Sequence, residues 1–261
     1  MALRNGDWVH CSGALIRPGI VVTAAHCLSK YGQSYTGMAK DVRYYPAYNG
    51  NLSNPAPFGE WKAIGYAVPD VHSIGIDTCT ATAVCNNDVA VIALQQIDGE
   101  NIGDKIGHFK YGVNAPNFMK INPTSNQTAL VTVLGYPGAY DDGSIMQRGD
   151  SIATLNAFKG TYSYSYGSAM GPGQSGGPLV VNFGTPAAVT TAGYGLGSAG
   201  GEYVVGVAQT SHPNPDAMSA HATYFGINGE YPKAIYGSYV GGNIGYLLNK
   251  LCTDPKFAAS C

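Results

Sequence analysis

The chain has 261 residues, a formal net charge of −2 and charged side chains at only 11% of positions, against about 25% in an ordinary soluble domain. That balance lacks the basic stripe a nucleic-acid binder needs, and no apolar run reaches the roughly 18 residues that span a bilayer. A hydrophobic content of 45% excludes disorder, and 36 Gly with 19 Tyr are poor material for long helices.

In chain order, Ala14-Leu-Ile and Gly19-Ile-Val-Val predict two short β-branched strands. Thr23-Ala-Ala-His26-Cys-Leu suits a single helical turn. Residues 31–87, rich in Gly, Tyr, Asn and Ser, read as long decorated loops. Asp88-Val-Ala-Val-Ile-Ala-Leu predicts the next strand. A soft boundary is expected near Val113–Pro123, dividing the chain into 1–115 and 116–261. Thr128-Ala-Leu-Val-Thr-Val-Leu, Pro178-Leu-Val-Val and Tyr203-Val-Val-Gly-Val-Ala predict further strands. The Tyr-Gly runs at Tyr162–Gly167 and Tyr194–Gly201 read as loop or edge strand, and 183–202 as a long loop. At the end, Asn243–Leu251 places apolar residues at 244, 247, 248 and 251, the spacing of an amphipathic helix. Short strands punctuated by Gly, Pro, Asn and Asp are the pattern of an all-β sandwich or barrel.

The six cysteines, Cys11, Cys27, Cys79, Cys85, Cys252 and Cys261, fall as three local pairs. Six cysteines allow 15 connectivities. The nearest-neighbour scheme is Cys11–Cys27, Cys79–Cys85 and Cys252–Cys261; the alternative is six free buried thiols. None has zinc-ligand spacing, so no metal site is expected. An even count favours an oxidising compartment, and the chain is expected to be secreted. Two N-x-S/T triplets, at Asn51 and Asn126, add little. The opening residues show no signal peptide, so either a leader was removed or the start is truncated.

Three segments carry chemistry together: Cys11-Ser-Gly-Ala-Leu-Ile with Val21-Val-Thr-Ala-Ala-His26-Cys27, then Asn87-Asp88-Val-Ala-Val, then Gly171-Pro-Gly-Gln-Ser175-Gly-Gly-Pro178. A serine hydroxyl is a weak nucleophile that needs an adjacent base. Histidine titrates nearest neutrality, and a carboxylate fixes its tautomer and stabilises its cation. Taken singly, each residue has a bland reading as a packed histidine, a turn-capping aspartate or a loop serine. The other histidines, at 10, 72, 108, 212 and 221, read as surface or loop residues, and Asp141-Asp142 as an exposed turn.

In their order of His, Asp and Ser, these motifs resemble the trypsin/chymotrypsin-like serine proteases. The resemblance implies two six-stranded-type antiparallel β-barrels with a C-terminal helix. It also implies a His26–Asp88–Ser175 triad and an oxyanion hole made by the Gly173 and Ser175 backbone N–H groups. The implied activity is a serine endopeptidase working through an acyl-enzyme. The implied partner is a protein or peptide substrate, with no nucleic acid or membrane, no cofactor and a monomeric state. Gln174 stands where many members carry Asp, and no Ile-Val-Gly-Gly start is present, so that activation switch looks absent. In this respect, and in Gly135-Tyr-Pro-Gly138, the chain is similar to the bacterial glutamyl endopeptidase branch. The ten residues before Cys11 leave the first barrel strand in question.

The same resemblance puts Ala169 at the floor of the primary specificity pocket, Met170 and Ala208 at two further pocket positions, and Ala222 on a wall. Gln209-Thr210-Ser211 replaces the family's substrate-aligning Ser-Trp-Gly. A neutral, apolar pocket is expected, which disfavours glutamate and basic residues alike. A catalytically silent homologue used as a binding or regulatory module is the alternative. An esterase reading of Gly173-Gln-Ser-Gly-Gly177 is a weaker one, because that family places its His last and needs alternating helices.

Overall fold

The computed structural model describes residues 1–4, 6–80, 84–113, 119–120, 127–158, 161–184, 202–211, 219–225 and 242–261. Two antiparallel sheets dominate them. The first is built from β1 (Ala2–Arg4), β2 (Asp7–Val9), β3 (Ala14–Arg17), β4 (Ile20–Thr23), β5 (Asp41–Tyr44), β6 (Trp61–Ala67) and β7 (Ala90–Leu94). Its strand order is β2-β1-β5-β6-β7-β4-β3. The second holds β9 (Met119–Lys120), β10 (Gln127–Gly135), β11 (Gln147–Phe158), β12 (Thr161–Gly167), β13 (Pro178–Val181), β14 (Tyr203–Ser211) and β15 (Ser219–Tyr224). Because β10 pairs with both β11 and β13, the strands β11-β12-β15-β14-β13-β10 close into a six-membered ring. A short β8 (Lys110–Tyr111) adds in parallel to β14. The all-β, barrel-like expectation is met.

Burial follows the strand pattern. β4 and β7 are buried at every position, as continuous β-branched and apolar runs demand when both faces are covered. β10 is buried from Val131 to Gly135, while Leu130, at 72% exposed, faces out. One apolar cluster spans both sheets, joining Ile16, Ile20, Val22 and Val91 to Val180, Val204, Val207 and Phe225. The C-terminal helix seals it. Four α-helices occur among the described residues: α1 (Ala25–Leu28), α2 (Asp70–Ser73), α3 (Ile102–Ile106) and α4 (Gly242–Cys252). Ile244, Leu247, Leu248 and Leu251 of α4 all lie in this core, the face the spacing predicts. No described helix is long and apolar enough to cross a membrane.

All three disulfides follow the nearest-neighbour scheme, and no described cysteine is free. Closing the Cys11–Cys27 loop, with a sequence separation of 16, is worth on the order of 3 kcal/mol in the chain-entropy model.

Several expectations are corrected. The first strand is present: β1 and β2 form a hairpin, and β1 docks on β5 through Ala2↔Val42 and Leu3↔Asp41. Residues 31–87 hold β5, β6 and α2 rather than loops alone, because Trp61 and Val42 bury into the core of the first sheet. Tyr162–Gly167 belongs to β12, an interior strand paired with both β11 and β15. The sequence pattern missed β11 and β15, whose Gly, Asn, Ser and His content hides their period. His72 is buried at 2% exposure rather than on the surface. Its Nε2 lies 3.3 Å from the Ser29 carbonyl oxygen, and its ring meets Tyr31 edge-on. Asp141-Asp142 is an exposed turn as expected. Tyr194–Gly201, Asn126, His212 and most of the expected boundary at 113–123 lie outside the described residues.

Candidate active site

His26 sits on α1, directly after β4, and Asp88 sits just before β7. β4 and β7 are neighbours, paired from Ile20↔Ala93 to Thr23↔Ala90, so their adjoining ends bring together side chains 62 residues apart. The His26 Nδ1–H donates to Asp88 Oδ2 at 2.7 Å, and the His26 backbone N–H donates to Asp88 Oδ1 at 2.8 Å. One carboxylate therefore fixes both the ring and the turn that carries it. Burial works against the imidazolium, but the Asp88 charge and hydrogen bond outweigh it, and the His26 pKa is raised above its ordinary 6.5. Burial likewise opposes the Asp88 anion, yet His26 holds the carboxyl below its ordinary range. Arg4 of β1 donates through Nη1 to the His26 carbonyl oxygen, tying the hairpin to α1.

A second set of bonds grips Asp88 from the other sheet. Thr223 Oγ1 of β15 donates to the Asp88 carbonyl oxygen at 2.9 Å. Gln209 Nε2 of β14 donates to Thr223 Oγ1 and to the Cys85 carbonyl oxygen, both at 2.8 Å, and Gln209 Oε1 accepts from Cys85 N at 2.9 Å. On the near side, Asp77 accepts from Asn87 N at 2.7 Å and Asn87 Nδ2 at 2.8 Å. Burial pushes the Asp77 pKa up to about 6.

Ser175 lies on the turn between β12 and β13. Ser12 fastens this turn to the first sheet: its N–H donates to the Ser175 carbonyl oxygen at 2.7 Å and its Oγ to the Gly173 carbonyl oxygen at 2.8 Å. Two glycines are required. Gly173 has φ +96, and a Cβ there would strike the Tyr136 carbonyl oxygen; Gly176 has φ +81, and a Cβ would strike Thr23 Oγ1. Among the described residues, neither the Gly173 nor the Ser175 N–H donates to a protein acceptor, so both donors are free for an incoming oxygen.

A cavity of about 230 Å³ brings His26 and Ser175 together with Tyr166, Gly171, Pro172, Gln174, Ala208, Gln209 and Thr210. No direct hydrogen bond joins the Ser175 hydroxyl to the imidazole; in free enzymes such bonds are often long and tighten only with substrate. Of the expected pocket residues, Ala208 lines this cavity. Ala169 is exposed and Met170 buried, and neither lines it. Ala222 is sealed in the core of the second sheet against Val131 and Leu179. Ser211 ends β14, where it pairs with Ala220. Sequence reasoning missed Ser12, Asp77, Tyr166 and Thr223; Tyr166 and Thr223 carry no motif, and only the strand pairing places them here. A larger cavity of about 960 Å³ opens elsewhere, lined by Leu15, Val21, Tyr44, Tyr136 and Phe183 among others and by none of His26, Asp88 or Ser175. Two groups of ligand-type atoms, Cys11-His26-Cys27 and Asp77-Cys79-Cys85, rest on disulfide sulfurs and so hold no thiolate for a metal.

Two barrel-like antiparallel sheets with a histidine–carboxylate pair and a glycine-flanked serine around one cavity define the chymotrypsin-like architecture. The trypsin family profile matches residues 1–213, and the chain belongs to that family. It is 29% identical over 170 residues to a glutamyl endopeptidase of Bacillus licheniformis, covering 65% of this chain and 44% of that protein. It is 32% identical over 69 residues to human kallikrein-2, covering 26% of this chain and 22% of that one. The chain thus spans less than half the length of these relatives. Among solved structures it shares its fold with the protease Anisep from Arthrobacter nicotinovorans, at TM-score 0.62, 18% identity and 91% of each chain. It also resembles the thermostable serine protease AL20 from an extremophilic microorganism, at TM-score 0.59 and 20% identity over 83% of this chain and 84% of that one.

Proposed function

We propose that this chain is a secreted serine endopeptidase whose His26–Asp88–Ser175 triad hydrolyses peptide bonds through an acyl-enzyme. The observation that carries the reading is the His26–Asp88 pair at 2.7 Å, with His26 lining the same cavity as Ser175. Asp88 holds the Nδ1–H tautomer, leaving Nε2 as the base. His26 takes the Ser175 proton as Oγ attacks the carbonyl carbon, and the Gly173 and Ser175 N–H groups receive the developing oxyanion. His26 then gives that proton to the leaving amine. A water molecule, deprotonated in the same way, hydrolyses the acyl-enzyme and restores the serine. The protein's own groups suffice for each step, and a protein or peptide is the substrate.

Residues 1–115 and 116–261 form the two barrel units in this reading, with the site between them and the chain acting as a monomer. Among the described residues, His26 is the one cationisable side chain lining the cavity, and no described lining residue is a carboxylate that would hold a base. The side chain before the scissile bond is therefore uncharged and largely apolar in its body. The glutamyl endopeptidase relative supports the reaction class, while the cavity argues against glutamate as the residue recognised.

Ser175→Ala is expected to abolish peptide hydrolysis, by a factor on the order of 10⁴ or more, without loss of folded structure by circular dichroism. Retained cleavage defeats the proposal. The alternative is a catalytically silent homologue that binds rather than cleaves. It draws on the missing Ser175–His26 hydrogen bond and on Gln174, and it predicts no labelling of Ser175 by a fluorophosphonate.

A further inference from the structure

Tyr166 and Gln174 are 3% and 4% exposed, and both line the cavity beside Ser175. Gln174 Nε2 donates to the Tyr166 hydroxyl oxygen at 3.1 Å. That single bond leaves three polar capacities unspent among the described residues: the Tyr166 O–H hydrogen, the second amide hydrogen of Gln174, and Gln174 Oε1. Turning the amide over changes which atoms are spent but still leaves donors and an acceptor free. These capacities open onto the cavity, where a polar group that arrives with the substrate can take them up. Resting on the endopeptidase reading above, we infer that Tyr166 and Gln174 determine specificity, selecting a residue before the scissile bond that carries an uncharged donor and acceptor at its tip, above all the carboxamide of glutamine.

The chemistry discriminates in three directions. A glutamine carbonyl accepts from the Tyr166 O–H while its amide donates to Gln174 Oε1, so both partners are satisfied. Methionine, of similar length, leaves both unpaired, the situation in which a site built for hydrogen bonds rejects an analogue lacking them. Glutamate brings two acceptors and no donor, so it leaves Gln174 Oε1 unpaired, and it must lose its hydration with no cation but His26 among the described residues lining the cavity. The inference narrows the uncharged preference to side chains with an apolar stem and a neutral polar end.

The test pairs binding with cleavage. Acetylated tetrapeptides ending in Gln, Met or Glu, otherwise identical, are titrated into the wild-type protein and into Tyr166→Phe by calorimetry. The same residues, placed before an amide bond in longer peptides, are compared by kcat/KM. The wild type is expected to favour Gln over Met and over Glu by about tenfold in each assay, and the Gln-over-Met ratio is expected to fall to near one in Tyr166→Phe. A wild-type preference for Met or Glu, or no preference, overturns the inference. A Gln preference that survives in Tyr166→Phe overturns the assignment to Tyr166. The binding arm reads the wild-type cavity whether or not the chain cleaves anything. Failure of the endopeptidase reading appears separately, as absent cleavage and absent fluorophosphonate labelling of Ser175.

Discussion

On the side of the first sheet, His26 and Asp88 are already engaged, with the imidazole, the α1 backbone and the carboxylate closed into one hydrogen-bonded unit. On the side of the second sheet, Ser175 sits on a turn pinned through its backbone by Ser12, while its hydroxyl remains outside that unit. In the proposed mechanism, a reactive group and a base would be prepared by different means. The base would be held by an ion pair that keeps its tautomer. The nucleophile would be held by backbone geometry, which sets its place and leaves its χ1 to respond to substrate. Asp88 draws on both sheets, because Thr223 and Gln209 of the second sheet hold the backbone of a residue that belongs to the first.

Breaking the closed side gives the largest effect. Asp88→Asn is expected to lower kcat on the order of 10⁴-fold. Its pH profile carries the cause. His26 must be neutral to act as base, so with its pKa raised above 6.5 activity is lost as pH falls through a value above 6.5. In Asp88→Asn the charge that raises the pKa is gone and burial and Arg4 lower it, so the acid limb moves below 6.5. An acid limb that stays put in the residual activity would falsify the pairing as its origin.

The link between the two sheets is tested next. Gln209→Leu strips partners from the Cys85 N–H and C=O and from the Thr223 hydroxyl, at about 1–3 kcal/mol for each group left unsatisfied. Calorimetry should find the Tm lower by roughly 6 °C or more. A Tm within a degree of wild type would mean that the network contributes nothing to holding Asp88.

Asp77 sharpens the comparison within the first sheet. Its folded pKa of about 6 stands above the ordinary aspartate value of 3.8. The native state therefore keeps this proton where the unfolded chain has lost it. The associated stability is complete below pH 4 and is lost as pH rises through 6, on the order of 3 kcal/mol. Urea unfolding from pH 4 to 7, compared between wild type and Asp77→Asn, isolates this contribution; parallel curves would exclude it. The smallest effect belongs to the exposed Lys250–Asp70 pair, at 2.7 Å with side chains 42% and 52% exposed, which joins α4 to α2. Lys250→Ala should change unfolding free energy by less than about 1 kcal/mol, and a larger loss would mean that α4 is held by charge rather than by its apolar face.

The sequence by itself determined the continuous apolar strands, the α4 face, the local grouping of the cysteines into neighbours and the local motifs around His26, Asp88 and Ser175. Each of these is a short-range pattern: a period of two or 3.6, a neighbouring cysteine, or a glycine where a turn needs positive φ. The tertiary structure alone decided what meets across the cleft. Tyr166 became a cavity wall, Thr223 and Gln209 became supports for Asp88, and β11, β12 and β15 became strands by pairing rather than by pattern. Of the positions placed by likeness to relatives, Ala208 lines the cavity, whereas Ala169, Met170 and Ala222 do not, and Tyr166 and Gln174 join it. The physical reason is that a strand's side chain acquires its neighbours from register and sheet closure, which join residues far apart in the chain and leave no mark in the local sequence.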